Sequence, residues 1–162
     1  MSPYDFAEKA HEMGFQGLEY VNQLYTDVVR AEDKKAAVAV FVEKNNELAA
    51  QYGLQNVLIM IDGEGSLSTS DATSRAEAIE NHKLWIDAAA DMGCSAVRLN
   101  LYGEKTQNCG HRILSKVYRP LSAYAAPKGI NVLVENHGRI SSNAAALMGV
   151  INGSTHELRN TS

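Results

Sequence analysis

The sequence predicts an α/β protein made of about four parallel β/α units, the arrangement found in part of a (β/α)8 barrel. Three observations carry the prediction. A helix-then-strand pattern recurs four times at near-constant spacing. The strand-like runs are short, apolar and lack clean alternation, which suits parallel strands buried on both faces. Each run ends in polar or charged residues, where an apolar strand needs none.

Every unit is marked by a glycine and an apolar residue where a helical pattern stops. The junctions are Met13-Gly14-Phe15, Tyr52-Gly53-Leu54, Met92-Gly93-Cys94 and Lys128-Gly129-Ile130, so the glycines stand 39, 40 and 36 residues apart. Glycine accepts the left-handed backbone that ends a helix. The second helical pattern carries Val38, Phe41, Val42, Leu48, Ala49 and Tyr52 on one stripe, and the third carries Ile79, His82, Ile86, Ala89 and Ala90. Ser74 followed by Glu77 reads as a capping box for the third helix. The fourth, about 112–126, contains Pro120, which is expected to kink or restart it, and Pro127 helps to end it. The strands are expected at 18–22, 56–62, 96–101 and 131–135, joined by right-handed crossovers. A short helix at 143–151 and a polar, disordered tail at 153–162 complete the chain, giving one domain over 1–152.

Two architectures accommodate this series. One is a partial (β/α)8 TIM barrel, which the regular period favours; eight such units take roughly 250 residues. The alternative is an open doubly wound α/β sheet. Four strands do not close an eight-stranded barrel, so the chain is expected to be incomplete or to pair with a second copy.

Composition narrows the partners. The chain is 45% hydrophobic and 21% charged, with a net charge of −4 and no basic footprint for nucleic acid. No apolar run reaches the roughly 20 residues of a membrane helix. The opening Met1-Ser2-Pro3-Tyr4-Asp5 lacks a signal-peptide layout, and the two cysteines, Cys94 and Cys109, match no zinc or disulfide pattern. A cytoplasmic protein is the expectation.

The chemistry is expected where the strands end. Glu19 and Asn22, then Asp62 and Glu64, then Arg98 and Asn100, and finally Glu135, Asn136 and His137 fall at the four carboxyl ends. That end of a parallel barrel is its active-site rim. Arg98 and Asn100 share a face, as Glu135 and His137 do if their strand continues. Glu135 follows Val132-Leu133-Val134 directly and is the sharpest candidate, because an unpaired carboxylate there is costly. Asp62 and Glu64 sit among Gly63 and Gly65 and read equally as a turn; Glu19 and Arg98 also read as a structural ion pair. His82 reads as a packed histidine and Trp85 as core, while His11, His111 and His156 read as solvated.

Several stretches resemble one known family. They are Phe6-Ala7-Glu8-Lys9-Ala10 through Met13-Gly14-Phe15-Gln16-Gly17-Leu18-Glu19, and Asn81-His82-Lys83-Leu84-Trp85-Ile86-Asp87-Ala88-Ala89 with Met92-Gly93-Cys94 and Val97-Arg98-Leu99-Asn100. The most specific is Gly129-Ile130-Asn131-Val132-Leu133-Val134-Glu135-Asn136-His137-Gly138, with Ser141-Ser142-Asn143 after it. Their order and spacing resemble the sugar phosphate isomerase/epimerase family of the xylose isomerase-like TIM barrel superfamily. The resemblance implies a divalent metal, Mn2+ or Mg2+ and alternatively Co2+ or Zn2+, held by Glu, Asp, His and Glu on successive later strands. Only Glu135 matches one of those positions. It also implies proton transfer between adjacent carbons of a keto sugar through an enediolate, with Glu135 catalytic and His137, Asn100, Arg98 and Glu19 on the substrate side. Arg139 stands where many relatives continue with a second glycine. The implied partner is a small sugar or sugar phosphate, with self-association open. Two rivals remain: a non-catalytic, self-associating half-barrel, and a metal-dependent phosphodiesterase acting on damaged DNA. The acidic balance disfavours the latter.

Overall fold

A computed structural model describes residues 2–100 and 110–135, with single positions 144 and 148. Asn136, His137, Cys109, His156 and the polar tail lie outside the described residues. So does most of the helix expected at 143–151, of which Ala144 and Met148 are helical.

Among the described residues, four strands form the sheet: β1 Gly17–Val21, β2 Gln55–Ile61, β3 Ala96–Asn100 and β4 Asn131–Glu135. All neighbours are parallel and the order is the chain order, β1-β2-β3-β4. A doubly wound sheet reverses its order at a switch point; none occurs among the described strands, so the protein is a run of barrel units.

The helices α1 Phe6–Glu12, α2 Thr26–Val29, α3 Lys34–Tyr52, α4 Ala72–Asp91 and α5 Gly110–Ala125 accompany the strands. Alternation explains which face they cover. Leu18, Tyr20, Ile59, Ile61, Val97 and Leu99 are buried, whereas their neighbours Glu19, Met60, Arg98 and Leu133 turn to the other, more open face. That open face would be the inside of a closed barrel. Register then sets the layers on it: Met60, Arg98 and Leu133 are level, and Asn100 is level with Glu135.

The core is closed by aromatic rings meeting edge to face. Tyr25 and Phe41 lie 4.6 Å apart, Phe41 and Trp85 5.3 Å, and Tyr20 and Phe41 5.9 Å. Helix ends follow the glycine pattern. Gly53 closes α3 with φ 66°, and the other three repeat glycines share that left-handed conformation.

Two local expectations change. The cap of α4 is Asp71, whose carboxylate accepts from the Ser74 N–H, so the helix starts before the expected Ser74 box. A carboxylate at that place also suits the positive end of the helix dipole. α5 begins at Gly110 and continues through Pro120, which lies on the exposed side, where water can satisfy the carbonyl that loses its partner.

Phe41 has no exposed surface and touches three other rings. Phe41→Ala is therefore expected to cost about 3–5 kcal/mol, read as a lowered urea midpoint in equilibrium unfolding.

Candidate active site

The carboxyl end of the sheet is organised around a buried carboxylate. Glu64 lies in the turn after β2 and is 4% exposed. One oxygen, Oε1, accepts from the Asn22 amide at 3.0 Å and from the Trp85 indole N–H at 2.7 Å. The other, Oε2, pairs with the Lys34 ammonium. These partners come from the end of β1, the middle of α4 and the first residue of α3. The turn reaches this depth because Gly65 adopts φ 96° and lies flat on α4: a methyl group there would stand 2.9 Å from Ala78 Cβ.

Asn22 passes the constraint on. Its Oδ1 accepts the Asp62 N–H at 2.7 Å while its amide holds Glu64. Asp62 thus leaves β2 at a set angle and accepts a hydrogen bond from the Asn100 amide. Arg98 completes the layer. Its guanidinium donates to Asn100 Oδ1 at 2.7 Å, meets Glu135 Oε2 at 2.5 Å and stands 3.8 Å from Asp62 Oδ2. Asp62, Arg98, Asn100 and Glu135 are therefore one connected set at the ends of β2, β3 and β4. The carboxylate of Glu135 remains 41% exposed, open to an incoming molecule.

Beside this set lies a cleft of about 340 Å³ lined by Gln23, Asp62, Glu64, His82, Arg98 and Asn100. His82 enters it from α4 and is 2% exposed. Its Nδ1 stands 2.7 Å from the Ala78 carbonyl oxygen, which can only accept, so Nδ1 carries the proton. Burial holds the imidazole below its ordinary pKa of 6.5. The Ala78 carbonyl, Glu64 and Asp62 oppose that shift, and Lys34 adds to it.

The sequence candidates divide accordingly. Arg98, Asn100 and Glu135 come together. Glu19 stays on the exposed face of β1, and Arg98 pairs with Asp62 and Glu135 instead. His137 is outside the described residues. Asp62 and Glu64, which read equally as turn residues, are both built into the network. His82 and Trp85 are packed as expected, and both also face the site. Lys34 was not singled out at all. Its one local signal is a positive charge opening a helix, where the dipole disfavours it.

The metal that the resemblance implies finds too few donors here. Among the described residues no group of three His, Cys, Asp or Glu side chains is placed to hold a metal ion, and Glu135 is already engaged by Arg98. The described residues do not by themselves fit a divalent ion.

The sequence matches the family described as xylose isomerase-like TIM barrel over residues 7–157. Among solved structures, the chain is similar to 3-keto-D-glucoside 4-epimerase from E. coli. That match has a TM-score of 0.75 and 15% identity, covering 95% of this chain and 60% of that one. It is similar to D-allulose 3-epimerase from Methylomonas sp. in complex with D-allulose (TM-score 0.73, 16% identity, 94% and 53% covered). It is also similar to the IOLI protein solved with a zinc atom (TM-score 0.68, 13% identity, 91% and 52% covered). The chain thus spans between about half and three-fifths of their lengths, and the likeness at these identities establishes the fold. A search of curated proteins gave no match.

Two outcomes follow from the buried groups. Glu64→Gln keeps an oxygen for Trp85 but removes the charge facing Lys34. Partial exposure of Lys34 moderates the loss to about 1–3 kcal/mol in denaturant unfolding, with a shifted emission of Trp85, the chain's single tryptophan. For His82, the unfolded chain takes up a proton near pH 6.5, while burial resists protonation in the folded chain. Its contribution to stability is complete above pH 6.5 and declines as pH falls toward the lower folded value. Unfolding free energies measured across that window should slope less in His82→Phe than in wild type.

Proposed function

Because the chain belongs to the xylose isomerase-like TIM barrel family, we propose that it forms part of a sugar or sugar phosphate isomerase or epimerase, moving a proton between adjacent carbons of a keto sugar. The carrying observation is the connected set of Asp62, Arg98, Asn100 and Glu135 at the carboxyl ends of parallel strands. Enzymes of this architecture work at that rim.

In this reading Glu135 is the catalytic base. Its carboxylate takes the proton from a hydroxyl-bearing carbon next to the carbonyl and returns it to the neighbouring carbon on the same face; epimerisation needs a second acid group to protonate the opposite face. Arg98 supplies a fixed positive charge beside the enediolate oxygen as it develops. Asn100, held between Arg98 and Asp62, orients a substrate hydroxyl. His137 and Glu19 remain substrate-side candidates on the resemblance alone. The D-allulose in one similar structure supports the sugar class.

The zinc in another similar structure is the ground for a divalent cofactor on Glu135, whether Zn2+, Mn2+, Mg2+ or Co2+. Its remaining ligands would have to come from outside the described residues. No step above is routed through it. Such an ion would supply Lewis-acid polarisation of the sugar oxygens. No described helix is long and apolar enough to cross a membrane, and a cytoplasmic location is part of the proposal, as is the absence of a nucleic-acid partner.

A second reading, a non-catalytic half-barrel that pairs with a second copy, draws on the open face of the sheet, where Leu133 is 47% exposed. It predicts a folded dimer in sedimentation with no activity on any ketose.

The catalytic reading predicts that D-allulose incubated in deuterated buffer gains deuterium at the carbon next to its carbonyl. Glu135→Gln should slow that exchange by about 10²–10⁴-fold. Exchange at the wild-type rate in the variant would remove Glu135 from the chemistry.

A further inference from the structure

We propose that His82 is a specificity residue whose Nε2 accepts a hydrogen bond from a hydroxyl of a neutral, unphosphorylated sugar seated in the cleft beside Asp62. The inference rests on the sugar-enzyme reading above and goes further, to the chemical class that this cleft selects.

The first argument is the ring itself. Nδ1 donates to the Ala78 carbonyl at 2.7 Å. Burial keeps the imidazole neutral, so Nε2 presents a lone pair. The ring is 2% exposed and lines the cleft, and none of the described residues donates to Nε2. Nε2 is not among the described side-chain atoms sealed from solvent without a partner, so it keeps contact with the cleft, where a sugar hydroxyl can replace water as its donor.

Charge supplies the second argument. Among the described residues, the cationic groups at this end are Arg98 and Lys34, each paired with carboxylates: Arg98 with Asp62 and Glu135, Lys34 with Glu64. A phosphate dianion entering the cleft would meet the Asp62 and Glu64 carboxylates and find no unpaired cation among the described lining residues. Hydroxyl groups fit the same wall well. Asp62 and His82 accept, while the amides of Gln23 and Asn100 can donate or accept. The volume of about 340 Å³ lies at the small end of the range for small-molecule sites.

The test uses the full 162-residue chain labelled with 15N, with the histidine ring nitrogens followed by long-range 1H–15N spectra and His82 assigned from His82→Phe. The probes are D-allulose and D-allulose 6-phosphate. The expected result has three parts. Free His82 shows the Nδ1–H tautomer. D-Allulose moves its Nε2 resonance saturably. His82→Phe, folded by its amide spectrum, binds D-allulose about tenfold more weakly, the loss of one hydrogen bond. The phosphate ester is expected to bind no tighter than the free sugar. Shifts at the Asn100 and Glu135 amides with Nε2 unmoved would overturn the role of His82 and leave the sugar-enzyme reading standing. Tighter binding of the phosphate ester, with His82 responding, would overturn the neutral-sugar assignment. Saturating probes that perturb neither His82 nor the rim amides would overturn both. If His82→Phe does not fold, His82 is assigned from the contacts of its ring proton with Ala78, and the Nε2 response of the wild-type chain decides.

Discussion

Burying a carboxylate is costly unless both oxygens are satisfied, and the carboxyl end of this sheet is arranged around one such group. Glu64 draws together the end of β1 through Asn22, the start of α3 through Lys34 and the middle of α4 through Trp85. Two of these partners are themselves committed elsewhere. Trp85 packs on Phe41, and Asn22 also holds the backbone of Asp62. The turn after β2 is thereby a fixed strut, and the rim residues that follow from Asp62 inherit its position.

Parallel register does the rest. Side chains level with one another on neighbouring strands project to the same face. Met60, Arg98 and Leu133 form one such row, and Asn100 and Glu135 the next. A guanidinium in the lower row can reach carboxylates in the upper one on both sides, as Arg98 does with Asp62 and Glu135. The same pairing that makes the charges affordable at the mouth of the sheet also neutralises its cations. The proposed preference for hydroxyl-rich molecules over anions rests on that pairing.

The fold was largely legible because its signals are local. Gly53 and the three other repeat glycines close helices at a steady period, and the apolar runs between them leave little choice of strand position; observed ends differ from expected ones by about one residue. Pro120 does not restart the helix because its cost depends on exposure, which a linear pattern does not report. The site was legible in part. Arg98, Asn100 and Glu135 stood out as charged or polar groups closing apolar strands. Glu64 did not stand apart from a glycine turn, since its burial depends on α4 passing within contact of Gly65. Lys34 lies 30 residues from Glu64 along the chain, and no spacing rule joins them.

Sequence alone determined the class of fold, the number of units it describes and which end of the sheet carries polar chemistry, because glycine conformation, strand composition and side-chain alternation act within a few residues. Tertiary structure decided who pairs with whom. It gave Arg98 to Asp62 and Glu135 instead of Glu19, turned Glu64 inward, and set His82 with Nδ1 on its own helix and its ring against the cleft. Those outcomes depend on distances between elements, which arise only when helices pack against the sheet and bring residues remote in sequence within hydrogen-bonding reach.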